Sequence, residues 1–269
     1  MSLLQSVIAG MDSNWAEDAT LYFQDELTEI SLPDFAKSLS SRTLLQMYKL
    51  KYRTERRSNA EFMSPTGKVP VFRHSGALLT GFNDLVSYVN IKTKSLDSHL
   101  DDKARCDMNA YMAMVEGVLS NAEVYIAWND STVANEVTKP RYGSTYPWPL
   151  CQIIPYFKQK EMMKILSAQG WCDISQSEVC ERVRRCCQAL SVKLGNQQFF
   201  FGDQVTPLDA LVFGHLFAIV TTVLPNNLLS SVIQDFDNLQ ELLRRINETY
   251  FTDEQVVSPK MHAKAKESR

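Results

Sequence analysis

The first hundred residues contain no cysteine, and the six cysteines beyond (106, 151, 172, 180, 186 and 187) form no C-x-x-C pair. That excludes a thiol redox centre in the N-terminal part, and no histidine spacing suggests a zinc site. The adjacent Cys186 and Cys187 would close only a strained disulfide, so reduced thiols in a cytosolic environment are the simplest reading. Long hydrophobic runs are also missing. The longest, 210–224, falls short of the roughly 20 residues a bilayer span needs, and it carries His215 with Asp209 just before it. Residues 1–15 place Leu3, Leu4, Val7, Ile8 and Met11 at helical spacing but hold no Lys or Arg, which argues against a secretory signal or an Arg-rich presequence. The stretch 254–269 is polar and Lys-rich rather than apolar. A formal net charge of −3 provides no broad basic field, so nucleic acid is not an expected partner. The local run Lys49, Lys51, Arg53, Arg56 and Arg57 reads as one solvated face of a strand. There is no internal repeat and no low-complexity segment.

What is present describes an ordinary globular chain: 269 residues, 45% apolar and 22% charged, enough for one large or two modest domains. Residues 19–24 predict a first strand, Pro33 opens a helix, 51–56 alternates as a second strand, and Ser75-Gly76 joins two short strands into a hairpin. A helix is expected from Asn83. This β-α-β then β-β-α order is that of a thioredoxin-like domain over 15–92. Beyond a polar link, strand signals almost vanish. Met108, Met112, Val115, Leu119, Ala122 and Ile126 mark a long amphipathic helix, the prolines within 140–149 interrupt the pattern, and helices follow near 152–168, 176–194, 207–223 and 237–250. The expected architecture is therefore an α+β N-terminal domain followed by an all-α domain over 101–251, with a polar, disordered tail at 252–269.

Two motifs tie the halves together. Asn59-Ala60-Glu61-Phe62-Met63-Ser64-Pro65-Thr66-Gly67-Lys68-Val69-Pro70 leads into the strand Val71-Phe72-Arg73-His74. Proline at a strand's start cannot donate to the ladder; a cis peptide there would leave the Val69 backbone able to pair with an extended ligand, while the plainer reading is that Pro70 only shapes the fold. The pattern, with its Gly67 turn, resembles the third strand of the glutathione-transferase (GST) fold. Thr206-Pro207-Leu208-Asp209 is the second motif: Thr206 caps a helix start, Pro207 suits its first position, and Asp209 bonds back, with removal of the carboxylate costing roughly 1–3 kcal/mol. It resembles the capping box of the central helix in GST-like C-terminal domains, and Phe199-Phe200-Phe201-Gly202-Asp203 resembles the approach to it.

The glutathione cradle of that fold looks dismantled. Members that bind glutathione end the hairpin in Glu-Ser or Gln-Ser, and here Gly81 and Phe82 stand at those places if Tyr88 is the family's helix tyrosine. Phe82 offers no hydroxyl and Asp84 adds an acid beside the carboxylate site; Thr80, one residue away, is the remaining candidate. Tyr22 reads as strand packing, and Ser31 has Glu26 and Glu29 nearby, which disfavour a thiolate. No catalytic, cofactor-binding or metal-binding residue is therefore expected, and His215 reads as a hydrogen-bonded core histidine. Cys186 and Cys187, on a helix with Val179, Val183, Leu190 and Leu194, read as small apolar filler.

Several segments together resemble the metaxin family of GST-fold proteins of the mitochondrial outer membrane. They are the 59–70 stretch, Arg141-Tyr142-Gly143-Ser144-Thr145-Tyr146-Pro147-Trp148-Pro149-Leu150, Cys186-Cys187-Gln188-Ala189-Leu190-Ser191, and Leu208-Asp209-Ala210-Leu211-Val212-Phe213-Gly214-His215-Leu216. The resemblance covers about 15–251 and departs from the family at both ends and at Gly81-Phe82. It implies a non-catalytic, cofactor-free, peripheral subunit on the cytosolic face. Its partners would be an anchored metaxin, the outer-membrane β-barrel assembly complex and mitochondrial precursor proteins. Partner contacts are expected at Val69, Tyr142, Tyr146 and Trp148, the three aromatics either anchoring an interface or packing on the helices. A glutathione-dependent transferase and an adaptor of a soluble cytosolic complex are the competing readings.

Overall fold

A computed structural model describes residues 15–25, 30–58 and 60–251. Strand β1 (Thr20–Phe23) lies at the centre of a four-stranded sheet of order β2-β1-β3-β4, parallel to β2 (Arg53–Arg56) and antiparallel to β3 (Val71–His74), which pairs with β4 (Ala77–Leu79). The period of two decides the faces. Leu21 and Phe23 join the main core, whereas Tyr22 turns to the opposite side to meet Ala60, Val69 and Val71, with Arg57 and Arg73 over its ring at 5.4 and 5.6 Å. Edge strand β2 is largely exposed and charged, Arg57 Nε donating to Glu55 at 2.7 Å, a composition that discourages further strand pairing.

Helix α1 (Leu32–Met47) and helix α3 (Phe82–Lys92) belong with this sheet, and the short α2 (Ala60–Met63) precedes the Gly67 turn, where no helix was expected. The helical part begins with α4 (Asp102–Val115), continues through a π-type segment (Glu116–Ser120), α5 (Asn121–Val124) and a second π-type segment (Tyr125–Asn129). After α6 (Ser131–Val133) and a third π-type segment (Ala134–Thr138), α7 (Lys139–Gly143) carries Pro140 in its first turn, so that proline starts a helix rather than interrupting one. Then come α8 (Leu150–Ala168), α9 (Gln176–Leu194), α10 (Pro207–Thr221), α11 (Leu228–Gln234) and α12 (Asp237–Tyr250). The short α11 was also missed, because seven residues are too few for a periodicity to declare itself. Gly170 and Gly195 follow α8 and α9 with φ of 69° and 54°.

Helix α10 runs through the middle. It is apolar nearly all round and packs chiefly on α1. Most buried apolar side chains from Ala19 to Phe251 form one continuous cluster, and Tyr22, Ala60, Val69 and Val71 form a second, smaller one on the other face of the sheet. We keep the division between 15–92 and 101–251 as a proposal about chain organisation, and the expected tail at 252–269 lies outside the described residues. The capping box at the start of α10 closes on Asp209, which is fully buried: Oδ2 accepts from the Thr206 amide at 2.8 Å and hydroxyl at 2.7 Å, and Oδ1 from the Phe200 amide at 3.0 Å. Burial pushes its carboxyl up from 3.8 to about 6, the three donors working against the rise. Asp209→Ala orphans all three donors and is expected to lower unfolding free energy at neutral pH by about 3 kcal/mol, above what a surface cap contributes. Native Asp209 holds its proton more tightly than the unfolded chain, so its contribution is complete below about pH 4 and declines as pH rises to about 6. The stability gap between wild type and Asp209→Ala in urea titrations should therefore widen on acidification; a gap constant from pH 4 to 7 would contradict this.

Candidate functional site

A cavity of about 300 Å³ opens between the sheet and the helical part, where the start of β3, the first turn of α3, α1 and α10 converge. Lys37, Ser40, Lys68, Thr80, Asp84 and Glu116 supply its polar lining. The Gly67 turn shapes one wall: Gly67 adopts φ 66°, Ser64 Oγ accepts from the Thr66 and Lys68 amides at 3.2 and 3.1 Å, and Thr66 and Thr80 hydroxyls meet at 3.1 Å. The Val69–Pro70 peptide is cis, and both residues line the cavity. The Val69 side chain itself is buried against the Tyr22 cluster.

At the first turn of α3, Phe82 turns inward and joins the core, while Asp84 stands close enough that a β-carbon on Gly81 would meet its Oδ2 at 3.3 Å. A helix start favours an anion, and here the protein's own Asp84 occupies that field. Glu116 adds a second acid, its Oε2 accepting from Asn83 Nδ2 at 3.0 Å. The hydroxyl expected as the alternative, Thr80, does line the cavity, whereas Tyr22 is buried in its strand and Ser31 Oγ is committed to Asp34 Oδ2 at 2.7 Å. Glu26 and Glu29 lie outside the described residues. His215 reaches the cavity wall from α10 and is otherwise buried, its Nδ1 2.8 Å from Glu123 Oε1; burial raises the Glu123 carboxyl above its ordinary range, with His215 opposing. Among the described residues no group of three or more His, Cys, Asp or Glu side chains is placed to hold a metal. None of the six cysteines is in a disulfide; Cys186 and Cys187 are buried, and burial pushes the Cys187 thiol up to about 12.

The aromatic loop divides in a way its residues alone do not indicate. Tyr142 is not a surface contact: it is buried, its hydroxyl donates to Glu61, its ring meets Trp128 edge-on at 5.8 Å, and burial with Glu61 beside it raises its pKa well above the phenol range. Lys158 completes this internal cluster, Nζ lying 3.2 Å from Glu61 Oε2. Tyr146 is half-buried, and Trp148 is 80% exposed beside a second cis proline, Pro149. Sequence reading missed the exposed apolar residues that continue from it, Leu150, Ile153, Tyr156 and Phe157; their three- and four-residue spacing along α8 was the available signal.

Residues 38–159 match a family described as outer mitochondrial membrane transport complex protein, and 183–246 match the glutathione S-transferase C-terminal domain. Metaxin-2 of Homo sapiens is 44% identical over 239 residues, covering 89% of this chain and 91% of that protein. A metaxin-2 homolog of Caenorhabditis elegans is 37% identical over 205 residues, covering 76% and 89%. Among solved structures, a possible glutathione S-transferase from Rhodopseudomonas palustris superposes with a TM-score of 0.53 at 16% identity, covering 89% of this chain and 99% of that one. The likeness to that structure concerns the fold alone.

Proposed function

The chain belongs to the metaxin family, and from that premise we propose that it is a non-catalytic, peripheral subunit of the mitochondrial outer-membrane machinery that imports and sorts β-barrel proteins. In this reading it is a rigid scaffold on the cytosolic face, bound to an anchored metaxin partner and presenting a surface to precursor proteins or to the assembly barrel. The observation that carries the non-catalytic part is the state of the cavity. It lies beside the cis Val69–Pro70 peptide and the start of α3, where Phe82 supplies no hydroxyl and Asp84 and Glu116 add two acids, while the lysines of the lining, Lys37 and Lys68, come from other elements. No helix among the described residues is long and apolar enough to cross a membrane, which agrees with attachment through a partner or a surface. We propose the Val69 backbone edge, Tyr146 and Trp148 as contact positions, Pro70, Gly67, Thr206 and Asp209 acting structurally; Tyr142, whose contact would need its buried side chain, is left out.

The test is mitochondrial fractionation followed by alkaline carbonate extraction and protease treatment of intact organelles. The protein should be found with mitochondria, released by carbonate and digested from outside. Recovery only in soluble complexes would support the adaptor reading instead. Conjugation of an electrophile by the purified chain with glutathione would support the transferase.

A further inference from the structure

Of the twelve large apolar side chains left exposed among the described residues, five lie together at one place. Trp148, Leu150, Ile153, Tyr156 and Phe157 follow one another at the start of α8, Phe157 at 62% exposure. The opposite side of α8 is already occupied: Pro155 and Leu166 are buried, Ile154, Met162 and Met163 pack on the core, and Gln159 Nε2 donates to the Trp128 carbonyl at 2.7 Å. At about 100° per residue, Leu150, Ile153, Tyr156 and Phe157 share one outward arc, and Lys160 and Lys164 continue it toward the C-terminal end. Tyr156 and Phe157 meet edge-to-face at 5.8 Å, and Lys160 Nζ lies 4.7 Å over the Tyr156 ring.

Charge on this element runs against that of the chain. Between Trp148 and Ala168 there are three lysines and one glutamate, in a protein of formal net charge −3. That glutamate, Glu161, is paired with Lys158 at 3.1 Å, and Lys158 also reaches Glu61. The two outward lysines therefore flank an apolar, aromatic tip, and the one glutamate of the same stretch is already paired.

We propose that the outer stripe of α8 with Trp148 is a docking surface for an anionic lipid bilayer. The aromatic and aliphatic tip seats at the boundary of headgroups and acyl chains, and Lys160 and Lys164 engage anionic headgroups. This rests on the peripheral outer-membrane reading and deepens it by naming the face turned to the lipid. The composition favours lipid over protein: protein interfaces deplete lysine at their cores and prefer arginine, whereas Trp, Tyr and Phe beside snorkelling lysines are the residues of the membrane interface.

The test is flotation of the purified full chain with vesicles of phosphatidylcholine alone, or of phosphatidylcholine mixed with phosphatidylserine. Wild type should float with the anionic vesicles, less so in high salt, and its tryptophan emission should shift to the blue. Trp148→Phe should abolish that shift, because Trp128 and Trp171 are buried and Trp15 is stacked on His74 at 4.2 Å. The double variant Ile153→Ser/Phe157→Ser should weaken partitioning about tenfold or more. Lys160→Glu/Lys164→Glu should do so about tenfold or more on anionic vesicles alone. All are exposed positions, so thermal midpoints should stay at the wild-type value, which separates lost docking from lost folding. Failure of wild type to float with either vesicle, or equal flotation of the variants, overturns the assignment; capture of a protein partner through this face without flotation overturns it too. If the chain is found on mitochondria yet does not bind vesicles, only the lipid-facing surface is wrong. If it binds vesicles but is absent from mitochondria, the family-based location is wrong.

Discussion

Gly214→Val is expected to leave the chain unable to fold, and Gly214→Ala to lower its unfolding free energy by about 3 kcal/mol, near the upper end of overpacking penalties. The cause is the crossing of α10 over α1. A β-carbon at Gly214 would lie 2.6 Å from Ser40 Cα and nearer still to its Oγ and amide nitrogen. Carbon atoms need about 3.5–4.0 Å, so the helices must separate by about 1 Å along the most extensively packed pair of elements in the molecule. Two of the three obstructing atoms are backbone, and trimming the Ser40 side chain should therefore rescue Gly214→Ala only in part. A control gives the result its sign. Gly117 has nothing within 4 Å of a built β-carbon, so Gly117→Ala should instead stabilise the chain by about 0.5–1 kcal/mol through helix propensity. Urea unfolding at unchanged m-value measures both; a Gly214→Ala protein as stable as wild type would show that the crossing is looser than described.

His215→Leu should destabilise by about 3–5 kcal/mol, because it leaves a buried carboxylate without its partner. Glu123 is fully buried, its Oε1 is bonded to His215, and its Oε2 has no hydrogen-bond partner among the described residues. Burial already raises the Glu123 pKa, and His215 is the main opposing influence. Without His215 the carboxyl should titrate higher still. A raised native pKa contributes stability that is present at low pH and lost as pH rises through it, so the defect should be mildest in acid, where the carboxyl is neutral, and grow as pH rises. Replacing both partners, Glu123→Leu/His215→Leu, should recover most of the loss, because neither polar group is then left buried without the other. A His215→Leu protein with wild-type stability at neutral pH, or a double variant no better than the single, would refute this account.

These two sites mark where reading the residues runs out. An all-round apolar helix expected over 207–223 announces a buried α10, but the close approach of Ser40 to Gly214 cannot be found from spacing. His215 was legible as a core histidine because its surroundings in sequence are apolar; Glu123, 92 residues away, was not legible as its partner. Tyr142 shows the opposite failure. A tyrosine among prolines and turns looks like a contact residue, yet Glu61 arrives from α2 and makes it an internal post. Trp148, six residues on, remains outside.

Local chemistry alone determined the elements: the hairpin at Ser75-Gly76, the Gly67 turn, the capping box at Thr206 and Asp209, and the order of sheet before helices. Those features depend on residues a few positions apart, whose energies are set by backbone dihedrals, capping donors and periodicity. Tertiary structure decided which polar groups are paired across the core and which aromatics face outward. It seated Phe82 in the core, Asp84 at the cavity and the Leu150–Phe157 stripe on the outside. Such choices follow from packing between segments remote in sequence, where excluded volume and desolvation act on whichever side chain the fold brings near.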